Sequence, residues 1–355
     1  MADSLAALRG APGPLGLPSL RHVIVVLIDG LGAAALADRA GHARTLSAGM
    51  RRETVAGAVF PSTTVAGLAT LTTGVLPGEH GMVGYTAYDP RRDRIVNLLS
   101  GWGAGSEPEA WQAVPTLFER AGDDEVSTAA IGPSRYAGTG FSRAILRGAE
   151  YLSADALDQR VLRAREHAAS AARTLSYLYI PELDAAGHKH GVASAEWVSA
   201  LETADAGVAA LVADLPRRTG VLVTADHGAL DVPPSGHVML DVGALSGVRL
   251  VAGEPRCLQL HLEPGVDPST VASALEQRYG DVGWVVTRSE AIEADLFGPV
   301  RPGIDRRIGD VLLGARRRVA FYTDPADRAR GMIGQHGSLS PEELGVPLLR
   351  FGAAA

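Results

Sequence analysis

The chain has 355 residues, 46% of them hydrophobic and 21% charged, with a formal net charge of −7. That length allows one large domain or two with a substantial core, and the balance is that of a soluble globular protein. The acidic charge argues against nucleic acid as the main partner, and the lone cysteine, Cys257, excludes an intrachain disulfide. No run approaches 18 apolar residues without charge, so no membrane span is expected. The segment before residue 20 lacks a positively charged start, and the first apolar run is too short for a signal-peptide core. These features point to a cytoplasmic protein in a reducing compartment.

Taken in order, residues 1–20 read as a loose lead-in. Residues 23–28, Val-Ile-Val-Val-Leu-Ile, form a continuous apolar run, the pattern of a buried parallel strand. Asp29 follows, then Gly30 and Gly32 force a turn. Ligands of open α/β sheets bind beyond the carboxyl ends of strands, so Asp29 is delivered to such a place. Residues 33–48 are Ala-rich and read as a helix, and 54–59 as a short strand. Phe60-Pro-Ser-Thr-Thr64 opens a helix that Gly74 closes. Thr63 or Thr64 then stands at a helix N-terminus, where a hydroxyl caps the helix or the free N–H groups face an anion.

Residues 75–115 are rich in Gly and Pro and read as loops on the site side, with His80 holding its loop by hydrogen bonds. Residues 126–131 read as a strand, 154–173 as a helix and 174–180 as a strand running into Asp184 and His188. That spacing lets a carboxylate and an imidazole face one cation, in a turn or on one helical face. Residues 194–215 carry Trp197, Leu201, Ala204, Val208 and Leu211 at spacings of three and four, the stripe of a core-facing helix. A strand at 220–224 ends in Asp226-His227-Gly228. From 233 to 330 the texture changes: short strands near 248–251, 257–262, 284–287 and 319–322 alternate with helices near 268–279 and 289–297. His336 is flanked by glycine and precedes a Ser-Pro-Glu-Glu helix start, and 347–351 reads as a last strand.

The reading is an α/β fold, a mostly parallel central sheet flanked by helices, with a smaller α+β insert. Residues 1–232 and 331–355 form the catalytic domain and 233–330 the insert. Acidic and imidazole ligands following several strands, with a Thr at a helix N-terminus, are what a two-metal phosphoryl hydrolase needs.

The ordered set Asp29, Phe-Pro-Ser-Thr-Thr64 with Thr-Gly74, Asp184-x-x-x-His188, Asp226-His227-Gly and His336-Gly resembles the alkaline phosphatase superfamily. Within it, the set is most similar to the type I phosphodiesterase/nucleotide pyrophosphatase branch, with phosphonoacetate hydrolase also similar. The resemblance spans about residues 22–230 and 331–350; the insert carries none of the motif residues. It implies that Thr64 is the nucleophile and forms a covalent intermediate. One metal would be held by Asp29, Asp226, His227 and Thr64, the other by Asp184, His188 and His336, with zinc as both ions. The implied substrate is a small phosphorylated molecule, a nucleotide-like phosphodiester or pyrophosphate; the alternative is a phosphomonoester or a phosphonate. One departure stands out: the branch usually has Asn three residues after the nucleophile, where it binds a phosphoryl oxygen, and here that residue is Gly67. The absence of Cys-x-Pro-x-Arg argues against sulfate esters.

Overall fold

The computed structural model describes residues 1–103, 107–241 and 246–355. A seven-stranded sheet runs in the order Val55–Gly57, Gly345–Gly352, Thr219–Thr224, His22–Ile28, Thr174–Ile180, Ser127–Gly132, Glu150–Ser153. The last five of these pair in parallel, and Gly345–Gly352 runs antiparallel to its neighbours.

His22–Ile28 is buried along its whole length, which explains its unbroken apolar run. Successive side chains leave opposite faces of a strand. Val23, Val25 and Leu27 enter one apolar layer, and Ile24, Val26 and Ile28 the other. The second layer is covered by Leu157–Ser170 and by Ala195–Ala213, whose Trp197, Leu201, Ala204, Val208 and Leu211 are buried, as the stripe anticipated. The first layer is covered by Thr64–Thr73, through Val65, Leu68 and Ala69, and by Leu117–Gly122 and Gly140–Ile145. The helix Ala2–Arg9 packs there too, through Leu5 and Leu8, where a loose lead-in was anticipated.

A second sheet of six strands runs in the order Gly283–Thr287, Val311–Ala315, Cys257–Leu262, Val248–Glu254, Thr86–Asp89, Arg94–Asn97, antiparallel throughout. Two of its strands thus come from 75–115, which composition alone reads as loops. The segment 33–48 is not one helix: Ala33–Asp38 and Arg44–Ala48 are separated by a single 3-10 turn at Ala40–His42, where Gly41 lowers helix propensity. Among the described residues no helix is long and apolar enough to cross a membrane.

Candidate active site

Three adjacent parallel strands end side by side, and their carboxyl ends carry the acidic residues. Ile28 is in register with Ile180, and Leu27 with Thr224. The next residues therefore leave the sheet at one level: Asp29 directly, Asp184 and His188 on the helix Glu182–His190, and Asp226 with His227 in the turn after Thr224. Gly30 adopts φ +73°, and a Cβ on it would meet Asp184 at 2.9 Å. The turn therefore needs glycine both for its backbone and for the approach of Asp184. The Gly30 N–H donates to Asp226 Oδ1 at 3.2 Å, linking two of the strand ends.

Thr63 and Thr64 separate cleanly. The Thr63 side chain caps the helix Thr64–Thr73 by accepting from the Ala66 N–H at 3.3 Å. Thr64 is the first helical residue, and its Oγ1 lies 3.2 Å from His227 Nε2. Asp29, Asp226 and His227 offer ligand atoms within 4.8 Å of one another, and so do Asp184, His227 and His336. His227 thus stands between two groups. His188 joins the second through Asp184: its Nε2 lies 3.1 Å from Asp184 Oδ2 on one face of the helix. The rings of His227 and His336 stack at 3.5 Å, and His188 and His336 are 5.2 Å apart. All seven candidate residues are therefore brought together.

The three imidazoles are oriented in the same way. Nδ1 of His188 lies 2.7 Å from the Gly334 carbonyl, Nδ1 of His227 lies 3.1 Å from that of Gly228, and Nδ1 of His336 lies 2.7 Å from that of Ser62. A carbonyl only accepts, so each Nδ1 donates; Nε2 of His227 and of His336 then presents its lone pair to the cluster, and Nε2 of His188 faces the Asp184 carboxylate. This is the orientation of a metal-ligating histidine held by an outer hydrogen bond.

The charges need a cation. Burial, reinforced by Asp226 and Asp184, pushes the Asp29 carboxyl well above the usual carboxylate range. Burial and Asp184 push Asp226 up to about 6. Burial alone would raise Asp184 too, but the His188 charge and hydrogen bond outweigh it and hold this carboxyl below its ordinary value. Burial opposes the charge on His188, and Asp184 overcomes this, raising the imidazole to about 9. Burial lowers His227 to about 4 and His336 to about 3, keeping both neutral and competent as ligands. Asp29 Oδ1 and Asp226 Oδ2 are buried without a hydrogen-bond partner among the described residues. Unpaired carboxylate oxygens facing imidazole lone pairs fit divalent cations, and a mixed N/O donor set is suited to such ions.

Several contributors escape a reading by motif. The Tyr179 hydroxyl donates to Asp29 Oδ2; the residue reads as strand core, and the signal for it is its position one before the strand end. Ser62 binds the His336 loop three ways: its hydroxyl donates to the Ser338 carbonyl at 2.8 Å, that same oxygen accepts from the Gly337 N–H at 3.1 Å, and its carbonyl holds His336. Gly67 has a steric reason. A Cβ there would lie 2.6 Å from Asp226 Cβ and 3.0 Å from its carbonyl oxygen, so an asparagine side chain does not fit between this helix and Asp226. His80 does hold its loop: the Met82 N–H donates to Nδ1 at 3.1 Å, leaving Nε2–H to donate to Thr70 Oγ1 at 3.0 Å.

The cluster opens into a cavity of about 1100 Å3 that Asp29, Thr64, Asp184, His188 and His336 help to line. The strand ends of a mostly parallel α/β sheet thus converge on carboxylates and imidazoles that could hold metal ions. Residues 23–339 match the type I phosphodiesterase / nucleotide pyrophosphatase family, and the chain belongs to that family of metal-dependent hydrolases. No curated protein sequence matches the chain. Among solved structures, the fold is similar to that of murine ectonucleotide pyrophosphatase / phosphodiesterase 5. An inactive form in complex with AMP is 18% identical, with a TM-score of 0.74 over 93% of this chain and 88% of that one. The murine protein in a second structure gives 18% and 0.73 over the same shares. The human protein gives 17% and 0.72 over 93% and 87%.

Proposed function

We propose that the chain hydrolyses a phosphodiester or pyrophosphate bond in a small, nucleotide-like molecule, with Thr64 as nucleophile and two zinc ions as cofactors. The observation that carries this reading is the Thr64 hydroxyl at 3.2 Å from His227, the residue common to both ligand groups, at the wall of a large cavity. Asp29, Asp226, His227 and Thr64 would hold one ion, and Asp184, His188 and His336 the other. When bound, the ions lower the pKa of a coordinated hydroxyl and offset charge on the phosphoryl group.

In the first half-reaction Thr64 Oγ1 forms a bond to phosphorus as the bond to the leaving oxygen breaks, giving a threonyl phosphoester and an alcohol or phosphate. In the second, water attacks the same phosphorus and Thr64 leaves with its proton restored. The position of Thr64 at the first turn of its helix turns backbone N–H groups toward the phosphoryl oxygens. This supplies in part what an asparagine at position 67 would supply. Two features of the relatives agree with this reading: the inactive murine neighbour is a threonine-to-alanine variant, and it is in complex with AMP.

The volume of the cavity favours a diester or pyrophosphate carrying an organic group over a bare monoester. The test compares zinc-loaded protein on bis-p-nitrophenyl phosphate and p-nitrophenyl phosphate. A higher kcat/KM on the diester is the expected result. Preference for the monoester overturns the reading in favour of a phosphomonoesterase, and turnover of phosphonoacetate alone overturns it in favour of a phosphonate hydrolase.

A further inference from the structure

We infer that a second cavity, apart from the metal cluster, binds a phosphate dianion, either orthophosphate or the phosphate of a small organic molecule. Arg91, Arg306 and Arg307 would hold it, and none of them takes part in the reaction at Thr64.

This cavity has a volume of about 500 Å3, and two turns remote in sequence border it. One joins Thr86–Asp89 to Arg94–Asn97 and carries Arg91 and Arg92. The other, 302–307, carries Arg306 and Arg307. Trp102 and Trp111 add aromatic wall, their rings edge to face at 5.9 Å. Arg307 is fixed in place. Its Nη1 donates to the Gly81 carbonyl at 3.1 Å and to the Trp111 carbonyl at 2.9 Å. Its guanidinium lies 4.2 Å over the Trp111 ring, a cation–π contact. The Trp111 indole N–H donates to the same Gly81 carbonyl at 3.0 Å. Gly81 permits this approach, because a Cβ there would collide with Arg307 Nη1. Nε and Nη2 of Arg307 have no partner among the described residues, and the residue lines the cavity.

The charge here is unbalanced. Four arginines line the cavity against two carboxylates, Asp89 and Glu107. Asp89 is already engaged: it accepts from the Arg91 N–H at 3.0 Å and pairs with Arg92 at 3.5 Å. Asp305, in the second turn, accepts from the Gly303 N–H at 2.7 Å. The side chains of Arg91, Arg306 and Arg307 pair with no carboxylate among the described residues. Burial, with Arg91 adding, lowers Arg307 to about 10 in spite of the nearby Asp89. A solvated arginine turns away from like charge into water, but two carbonyls and Trp111 hold Arg307 where it is. A bound anion relieves that repulsion. The guanidinium fork matches phosphate oxygens, and a dianion balances two arginines where a carboxylate balances one. The small volume, in a chain of net charge −7, favours a small anion over a polymer. Trp102 lines this cavity and the one at the metal cluster, so the two are neighbours.

The test is calorimetric titration of metal-loaded protein with orthophosphate at constant ionic strength. Arg91 and Arg306 are exposed, so the double variant Arg91→Gln/Arg306→Gln should keep the fold. Wild type should bind phosphate at a site that the double variant weakens about tenfold or more. The double variant should keep kcat/KM on bis-p-nitrophenyl phosphate within twofold. Arg307→Lys keeps the charge and loses the fork, and should weaken the same site about tenfold. Titration with phenylphosphonate separates the two sources. Tighter binding than orthophosphate at the variant-sensitive site identifies an organic phosphate, and weaker binding identifies the free ion. The same stoichiometry and affinity for orthophosphate in wild type and the double variant overturn the inference. A loss of turnover in the double variant also overturns it, because the arginines then serve the metal cluster. Heat reports binding directly, so a protein that turned over no diester would still answer the question.

Discussion

The two large sheets differ in what they bring to the site: Asp29, Asp184, His188, Asp226 and His227 all follow strands of the seven-stranded sheet, and no candidate ligand follows a strand of the six-stranded one. The difference follows from strand direction. Parallel strands all end on one side, so the turns after His22–Ile28, Thr174–Ile180 and Thr219–Thr224 converge. Neighbouring antiparallel strands end on opposite sides, so the turns of the second sheet are divided between its two edges. What the second sheet supplies is support. The Arg256 guanidinium, fully buried, donates to both oxygens of the fully buried Glu343 at 2.7 and 2.8 Å. Glu343 in turn accepts from the Ser338 and Ser340 N–H groups at 2.9 and 3.2 Å. Trp284 donates to Ser338 Oγ at 3.2 Å. The loop after His336 is thereby fixed by residues remote in sequence.

This contrast can be broken from either side. The largest effect belongs to the first sheet: Asp184→Ala or His336→Ala should lose bound metal, read by elemental analysis, and reduce kcat about 10^3-fold or more, with little change in far-ultraviolet circular dichroism. In the second sheet, Arg256→Ala should destabilise the fold by roughly 3–5 kcal/mol, because it leaves a buried carboxylate unpaired; urea denaturation measures this. Gly67→Ala tests the packing between nucleophile helix and Asp226. It should cost about 1–3 kcal/mol by overpacking and weaken metal binding, whereas an unchanged metal affinity would mean that the helix yields without moving Asp226.

The smallest effect is a pH slope. Burial, with Arg307 adding, lowers His80 to about 3 from 6.5, so between these values the unfolded chain binds the proton and the folded chain does not. Stability is therefore lost as pH falls below 6.5, by about 1.4 kcal/mol per pH unit at most. His80→Asn should flatten this part of the profile. Urea midpoints at pH 6.5 and pH 5 for both proteins supply the comparison.

What the sequence shows and hides follows the same division. Long buried strands are local, but Asp29, Asp184, His188, Asp226, His227 and His336 become candidates only as an ordered set along the chain, and the choice of Thr64 over Thr63 comes from the resemblance. Thr86–Asp89 and Arg94–Asn97 are four residues each, set among Gly and Pro, and Thr86 meets its partner Gly253 far along the chain. Their burial is decided by that distant pairing. Val311–Ala315, flanked by arginines, is fully buried by strands on both sides. The same applies to Ser62 and to the Arg256–Glu343 pair, whose partners are joined only by the fold. The candidate metal-ligand pattern is visible in residue types; the common position of His227 between two ligand groups is visible only in space.

The central claim is that Thr64 carries the phosphoryl group. Zinc-loaded protein mixed with bis-p-nitrophenyl phosphate, quenched in acid during turnover and digested for mass spectrometry, tests it directly. The account predicts a p-nitrophenyl phosphoryl adduct on the peptide containing Thr64, absent in Thr64→Ala, which should also be inactive. Steady turnover with no adduct, together with activity retained in Thr64→Ala, would contradict it.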